Sequence, residues 1–123
     1  EEREFLIVDA AMNDLIRPSF YNAHHDILAV DETKKGSKKY DIVGPVCETG
    51  DTFAILRQMP ELQADDLITF RSAGAYGAVM ASTYNSRQIV AEVMVNGGQY
   101  ALTTRRQTYD EMFEREITPS WLK

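Results

Sequence analysis

The chain has 123 residues, 44% of them hydrophobic, and carries a formal net charge of −6. This length and composition predict one folded domain with a buried core, while the acidic balance argues against a nucleic-acid groove and against binding to an anionic membrane surface. The single cysteine cannot form an internal disulfide, so we expect a reducing, cytoplasmic compartment, and no apolar run has the length of a membrane span.

Short strands dominate the predicted secondary structure. Apolar runs bounded by turn residues predict strands at 5–10, 26–32, 40–46, 66–70, 89–95 and 99–106. Asn96-Gly97-Gly98 separates the last two runs and predicts a hairpin, because Asn and Gly tolerate the positive φ of its turn. Residues 32–41 contain four lysines around a glycine and predict a solvated hairpin tip. Many short strands favour a β-barrel or a β-sandwich.

Helices are expected to be few. Pro18 limits residues 12–21 to short turns, and the alanine-rich segment 73–85 predicts a helix that begins after Gly77. In residues 108–117, Thr108 and Glu111 have the spacing of a capping box at a helix N-terminus. We expect Trp121 to pack rather than to recognise a ligand.

Cys47 and Glu48 lie in GPVCETGD, residues 44–51, a run rich in turn residues. A lone cysteine is most often a small buried hydrophobe, but on a turn it is accessible to a ligand. The neighbouring carboxylate disfavours the thiolate, which suits a proton donor better than a nucleophile. One cysteine with His24 and His25 supplies too few ligands for metal, so we predict no metal site; the two histidines are expected to hydrogen-bond to backbone.

Three tyrosine- and arginine-bearing positions are further candidates. Arg17 and Tyr21 are four residues apart and project on one side of a helical turn, and Arg17 offers a planar fork for a carboxylate. Tyr76 lies between Gly74 and Gly77, small residues that allow a ligand to approach the backbone. The simpler interpretations are a surface arginine, a half-buried tyrosine and an aromatic plug at a strand-to-helix corner.

Three motifs carry a resemblance to a known family. They are R-P-x-x-Y at 17–21, G-P-x-C-E-x-G-D at 44–51 and G-A-Y-G at 74–77. In this order and spacing they resemble the C-terminal portion of the diaminopimelate decarboxylases, members of the fold-type III pyridoxal-phosphate decarboxylases, to which the alanine racemases are more distantly related. The resemblance covers almost the whole chain.

The resemblance implies a mostly β fold. The sheet domain is expected to be barrel-like or Greek-key, similar to the C-terminal domain of alanine racemase, with two or three short helices. Residues 1–123 would form this C-terminal sheet domain, and the N-terminal (β/α)₈ barrel with the cofactor lysine would lie outside them. The lysines at 34–39 and Lys123 do not resemble the context of that lysine, so we expect a fragment that is inactive alone.

The resemblance also implies roles for the candidate residues. Cys47 is the expected proton donor, and Arg17, Tyr21, Glu48 and Tyr76 are the expected substrate-binding residues. Tyr76 would also contact the cofactor, pyridoxal 5′-phosphate. The implied substrate is meso-diaminopimelate and the implied products are L-lysine and CO₂. The active sites would lie at the interface of a homodimer, with Cys47 and Glu48 reaching into the site of the other subunit.

Two alternatives remain open from the sequence. One is a related fold-type III decarboxylase, such as one acting on carboxynorspermidine, and the other is a non-catalytic β domain used for binding or dimerisation. The R-P-x-x-Y element favours diaminopimelate, because a second carboxylate on the substrate requires a cationic clamp that relatives acting on ornithine or arginine do not need.

Overall fold

The computed structural model describes residues 3–122, and the chain falls into two compact units. Unit 1 is Glu1–Ala81 and unit 2 is Ser82–Lys123. In chain order, unit 1 contains β1 (Glu4–Ile7), α1 (Arg17–Tyr21), β2 (Ile27–Ala29), β3 (Lys38–Val43), β4 (Thr52–Met59), β5 (Ile68–Phe70) and α2 (Gly74–Met80). Unit 2 contains a 3₁₀ turn at Tyr84–Ser86, β6 (Glu92–Asn96), β7 (Gln99–Thr104), α3 (Tyr109–Phe113) and a 3₁₀ turn at Ser120–Leu122. The described chain is therefore mostly sheet with a few short helices, as the sequence predicts.

Strand β3 is the centre of the larger sheet in unit 1. β1 runs parallel to it, with Leu6 opposite Ile42, and β4 runs antiparallel to it, with Ala54 opposite the same isoleucine. Ile42 is fully buried. It belongs to a buried cluster of Leu15, Ile27, Tyr40, Ile42, Phe53 and Met59. β2 and β5 form a separate antiparallel pair, and Ile27 connects β2 to that cluster.

The local sequence explains where the helices of unit 1 begin and end. Pro18 lies in the first turn of α1, where its missing N–H is not needed, and Asn22 ends the helix in a left-handed conformation with φ of 52°. Ser72, with φ of 55°, turns the chain out of β5, and α2 begins at Gly74. Both helices are short, so contacts with the sheet rather than helix propensity determine their positions.

Strand β4 has a kink in its middle, and the kink disrupts the sequence pattern from which a strand is predicted. Leu56 has a positive φ of 50°, and both Ile55 and Leu56 are exposed, so the two-residue alternation of a half-buried strand is broken in its middle. Asp41 supports the kink, because its carboxylate accepts the N–H of Leu56 at 2.8 Å and pairs with Arg3 at 3.3 Å. β4, the longest strand within residues 3–122, was therefore not predicted.

Unit 2 contains a hairpin and a capped helix. Asn96 pairs with Gln99, so the turn residues are Gly97 and Gly98, and Gly97 has φ of 58°. The predicted hairpin is confirmed, but Asn96 ends β6 and does not form the turn. At the start of α3, the Thr108 hydroxyl accepts the N–H of Glu111, whose carboxylate accepts the N–H of Thr108. The predicted capping box is therefore confirmed.

Four other expectations differ from the structure. In the part of the chain that the structure describes, the strands form separate open sheets without hydrogen bonds between their edges, so the expected barrel closure is absent. Residues 32–41 are not a hairpin tip, because β2 pairs with β5 while β3 pairs with β1 and β4. α2 begins before Gly77, since the flanking alanines sustain the helix through this glycine. Trp121 is 81% exposed, so its side chain is not buried against the residues that the structure describes.

No helix in residues 3–122 is long and apolar enough to cross a membrane.

Candidate active site

Arg17 and Tyr76 meet at the surface of unit 1. The guanidinium carbon of Arg17 lies 4.9 Å from the centre of the Tyr76 ring, within the range of a cation–π interaction. The contact joins the first residue of α1 to the first turn of α2. Tyr76 is still 53% exposed, so a cationic fork and a phenol stand together where a ligand with a carboxylate can bind.

Tyr21 lies on the same side of α1 as Arg17. Four residues along a helix of 3.6 residues per turn correspond to a rotation of about 40° beyond a full turn. The Tyr21 ring packs against Phe20, with the ring centroids 5.4 Å apart, and the side chain is exposed. The structure therefore places Arg17 and Tyr21 on one helix face, with Tyr76 against the arginine.

Cys47 and Glu48 project from the turn between β3 and β4. Cys47 is a free, exposed cysteine, so the interpretation as a small buried hydrophobe is wrong. Glu48 is also exposed, and its carboxylate accepts the N–H of Gly50 at 3.2 Å and the hydroxyl of Thr49 at 3.3 Å. Both side chains are accessible to a ligand that approaches from outside unit 1.

Asp51 holds this turn from the inside. Its carboxylate is buried, and its two oxygens accept the N–H groups of Met12 and Val46, each at 2.7 Å. A Cβ on Gly44 would lie closer than 3.0 Å to both of these oxygens, so only glycine fits at that position. Sequence reasoning missed this role of Asp51, because Met12 is 39 positions away along the chain.

The Cys47–Glu48 turn contacts α1 on the side opposite to Arg17. A Cβ on Gly50 would lie 2.6 Å from the hydroxyl oxygen of Ser19, and Ser19 is rotated about 200° from Arg17 around the helix. A groove of about 610 Å³ runs between α1 and β4 and is lined in part by Ser19, Thr49 and Gly50. Helix α1 therefore presents Arg17 on one side and meets the turn on the other.

His25 and Arg57 support the segment that leads to Tyr76. The buried His25 ring donates from Nδ1 to the carbonyl oxygen of Arg71 at 3.1 Å, and the N–H of Arg71 donates to the carbonyl oxygen of Asp26 at 2.8 Å. Arg57 in turn donates to the carbonyl oxygen of His25 at 2.9 Å. The expected bond from the histidine pair to backbone is confirmed at His25. The supporting role of Arg57 was not predicted from the sequence, because β4, the strand that contains it, was not recognised.

A metal ion or a cofactor would need suitable side chains among the described residues to hold it. No group of three or more potential metal ligands occurs in residues 3–122. Lys34 pairs with Asp66 at 2.8 Å and Lys38 with Glu4 at 3.4 Å, while Lys123 lies outside the described residues. Lys34 and Lys38 therefore form ion pairs with carboxylates. Tyr76 remains the residue of this chain that is the candidate for contact with a cofactor.

A family described as the C-terminal sheet domain of pyridoxal-dependent decarboxylases matches residues 1–74. The matched part includes α1 and the whole turn from Gly44 to Asp51, and it ends at the first residue of α2. The match covers more than half of the chain.

Individual relatives match over nearly the whole chain. A diaminopimelate decarboxylase from Zymomonas mobilis is 53% identical over 118 residues, which are 96% of this chain and 28% of that protein. The crystal structure of diaminopimelate decarboxylase from Helicobacter pylori with L-lysine superposes with a TM-score of 0.85 at 38% identity, covering 93% of this chain and 28% of that one. The structure from M. jannaschii, also with L-lysine, gives a TM-score of 0.91 at 31% identity, covering 97% of this chain and 27% of that one. The chain spans less than a third of the length of each of these proteins.

Proposed function

The chain belongs to the pyridoxal-dependent decarboxylases, and we propose that it forms the C-terminal sheet domain of an enzyme that converts meso-diaminopimelate to L-lysine and CO₂. The observation that carries this proposal is the 53% identity to a diaminopimelate decarboxylase over 96% of the chain. The arrangement of the candidate residues in unit 1 supports it, because exposed side chains of the required chemistry occur on both sides of α1.

Substrate recognition needs a cation and an anion at the far end of the substrate. Meso-diaminopimelate carries an ammonium and a carboxylate there, remote from the carbon that loses CO₂. Arg17 offers its guanidinium fork to the carboxylate, and stacking on Tyr76 holds the arginine in place. Glu48 is exposed and binds the ammonium once its carboxylate leaves the N–H of Gly50. A site with both groups rejects analogues that lack either one, because a polar group would be left unpaired.

Cys47 supplies the proton that completes the reaction. When the bond to the carboxylate breaks, CO₂ leaves and the electron pair stays on the substrate carbon. The exposed thiol of Cys47 transfers its proton to that carbon, and the resulting thiolate regains a proton from water.

Tyr76 fits a contact with both cofactor and substrate. One face of its ring lies against Arg17, and about half of the side chain remains accessible, so the phenol is available as a hydrogen-bond donor to an anionic oxygen. Bound pyridoxal 5′-phosphate supplies an electron sink for the pair of electrons left by CO₂. In this proposal the lysine that binds the cofactor comes from a (β/α)₈ barrel outside residues 1–123.

The placement of residues around α1 supports a shared site in a homodimer. Arg17, Tyr21 and Tyr76 would serve the site of their own subunit, while Cys47 and Glu48 would reach the site of the other subunit. The support is the rotation of about 200° between Arg17 and Ser19, the residue that faces the Cys47–Glu48 turn. A cytoplasmic location and the likeness to the alanine racemase domain remain predictions.

The test is turnover by the full-length protein that contains this chain. With pyridoxal 5′-phosphate added, it is expected to release CO₂ and L-lysine from meso-diaminopimelate and to discriminate against ornithine, arginine and carboxynorspermidine. Absence of turnover on meso-diaminopimelate, or preference for another member of this panel, would refute the proposed substrate.

A further inference from the structure

We propose that Asp51 is a positioning residue that fixes the Cys47–Glu48 turn relative to helix α1, an inference that rests on the proposed function. Asp51 is 2% exposed. One carboxylate oxygen accepts the N–H of Val46, directly before Cys47, and the other accepts the N–H of Met12, in the turn that precedes α1. One side chain therefore joins the two segments that carry the proton donor and the arginine.

The backbone of Asp51 closes the same turn. Its carbonyl oxygen accepts the N–H of Gly44 at 2.9 Å, and its own N–H donates to the carbonyl oxygen of Glu48 at 2.9 Å. Gly44 is limited to glycine by the carboxylate itself, as its absent Cβ leaves the space that the oxygens occupy. The turn is thus closed around Asp51 from both ends, and these bonds hold the backbone on which Cys47 stands.

The bonds to the Asp51 carboxylate require an acid rather than an amide. In residues 3–122 the hydrogen-bond partners of its side chain are two backbone N–H donors, at 2.7 Å each, a distance typical of charge-assisted hydrogen bonds. An asparagine keeps one acceptor oxygen but turns an NH₂ group, which only donates, toward the second N–H. Asp51→Asn therefore keeps the size of the side chain and breaks the link between Val46 and Met12.

The consequence is a displacement of Cys47 rather than a general loss of the sheet. Proton transfer from a thiol requires a defined distance and direction to the substrate carbon, and a misplacement of about 1 Å is able to cost on the order of a hundredfold in rate. A misplaced donor also leaves the carbon open to protonation by water from either face. Both the rate and the stereochemistry of protonation consequently depend on Asp51.

The experiment compares Asp51→Asn with Asp41→Asn in the full-length enzyme. Asp41 is a matched control, because it is also buried and accepts a backbone N–H, that of Leu56, but it lies in β3 and not in the turn. The turnover number with meso-diaminopimelate is measured per folded enzyme. The reaction is also run in D₂O, where the carbon that loses CO₂ becomes a CHD centre of defined configuration.

For Asp51→Asn we expect a turnover number lower by roughly 10- to 100-fold and a CHD centre of mixed configuration. For Asp41→Asn we expect turnover within about twofold of wild type, a single configuration, and a lower melting temperature only. If Asp51→Asn does not fold, Gly44→Ala replaces it, because the added methyl displaces the carboxylate and is expected to give the same two effects.

Wild-type turnover and a single configuration in the Asp51 or Gly44 variant would overturn the inference. An equal loss of turnover in Asp41→Asn would also overturn it, because the effect would then be one of the sheet as a whole. A wild-type enzyme that does not decarboxylate meso-diaminopimelate would refute the proposed function instead, so the two failures are distinguishable.

Discussion

The contact between Arg17 and Tyr76 gives a prediction whose size follows from the geometry. The guanidinium carbon lies 4.9 Å from the ring centre and Tyr76 is 53% exposed. A cation–π pair in such an accessible position contributes about 0.5–1 kcal/mol. If this energy holds the arginine in its substrate-binding position, its loss corresponds to about a two- to fivefold change in kcat/KM, since about 1.4 kcal/mol is tenfold.

A double-mutant cycle isolates this energy from the other roles of the two residues. The full-length wild type, Arg17→Met, Tyr76→Leu and the double variant are assayed for kcat/KM with meso-diaminopimelate. Each single variant loses the energy of the pair, whereas the double variant loses it only once. The kcat/KM of the double variant is therefore expected to be about two- to fivefold higher than the value obtained by multiplying the two single effects. Tyr76→Phe keeps the ring and is expected to retain most of the coupling while it removes the hydroxyl.

Phe20 provides the matched control for this cycle. It lies beside Tyr21 on α1, is 70% exposed, and its ring packs on that tyrosine, while the cation–π contact of Arg17 within residues 3–122 is with Tyr76. Phe20→Leu combined with Arg17→Met is therefore expected to be additive. Additivity of the Arg17 and Tyr76 variants, or equal coupling of Arg17 to Phe20, would refute the reasoning that the stacked ring positions the arginine.

Three other predictions concern the proton donor, the ammonium site and the capped helix. In the full-length enzyme, Cys47→Ala is expected to lower the turnover number by roughly a hundred- to ten-thousandfold with the cofactor absorbance spectrum intact; wild-type turnover would remove Cys47 from its role. Glu48→Gln is expected to raise KM for meso-diaminopimelate by roughly 10- to 150-fold with little change in melting temperature, and an unchanged KM would contradict the ammonium contact. The Arg105 guanidinium, followed by the N–H of Thr108, lowers the pKa of Glu111 from 4.5 to about 2. Because this pKa is depressed in the folded state, the stabilisation is complete above pH 4.5 and is lost as the pH falls toward 2. The melting temperatures of wild type and Glu111→Gln are therefore expected to converge as the pH falls through that interval. A difference in melting temperature that stays constant with pH would argue against the pairing.

Local sequence determined much of the secondary structure. The short helix that begins beside Pro18, the 96–99 hairpin and the Thr108–Glu111 capping box depend on residues close together in the chain. Such features are predictable because the bonds that form them span only a few positions. The order of the three motifs likewise indicated the family from the sequence, and the matches to the sheet domain confirm it.

Tertiary structure decided the pairing of strands and the arrangement of the candidate site. β4 was not recognised because the side chain of Asp41, 15 positions away, stabilises the left-handed conformation of Leu56 and breaks the alternation. The stacking of Arg17 on Tyr76 and the burial of Asp51 between two segments also join residues that are distant in sequence. The types of the candidate residues can be identified from the sequence. Which of these residues contact one another depends on segments that are distant in the chain, because such contacts form only when the sheet brings those segments together.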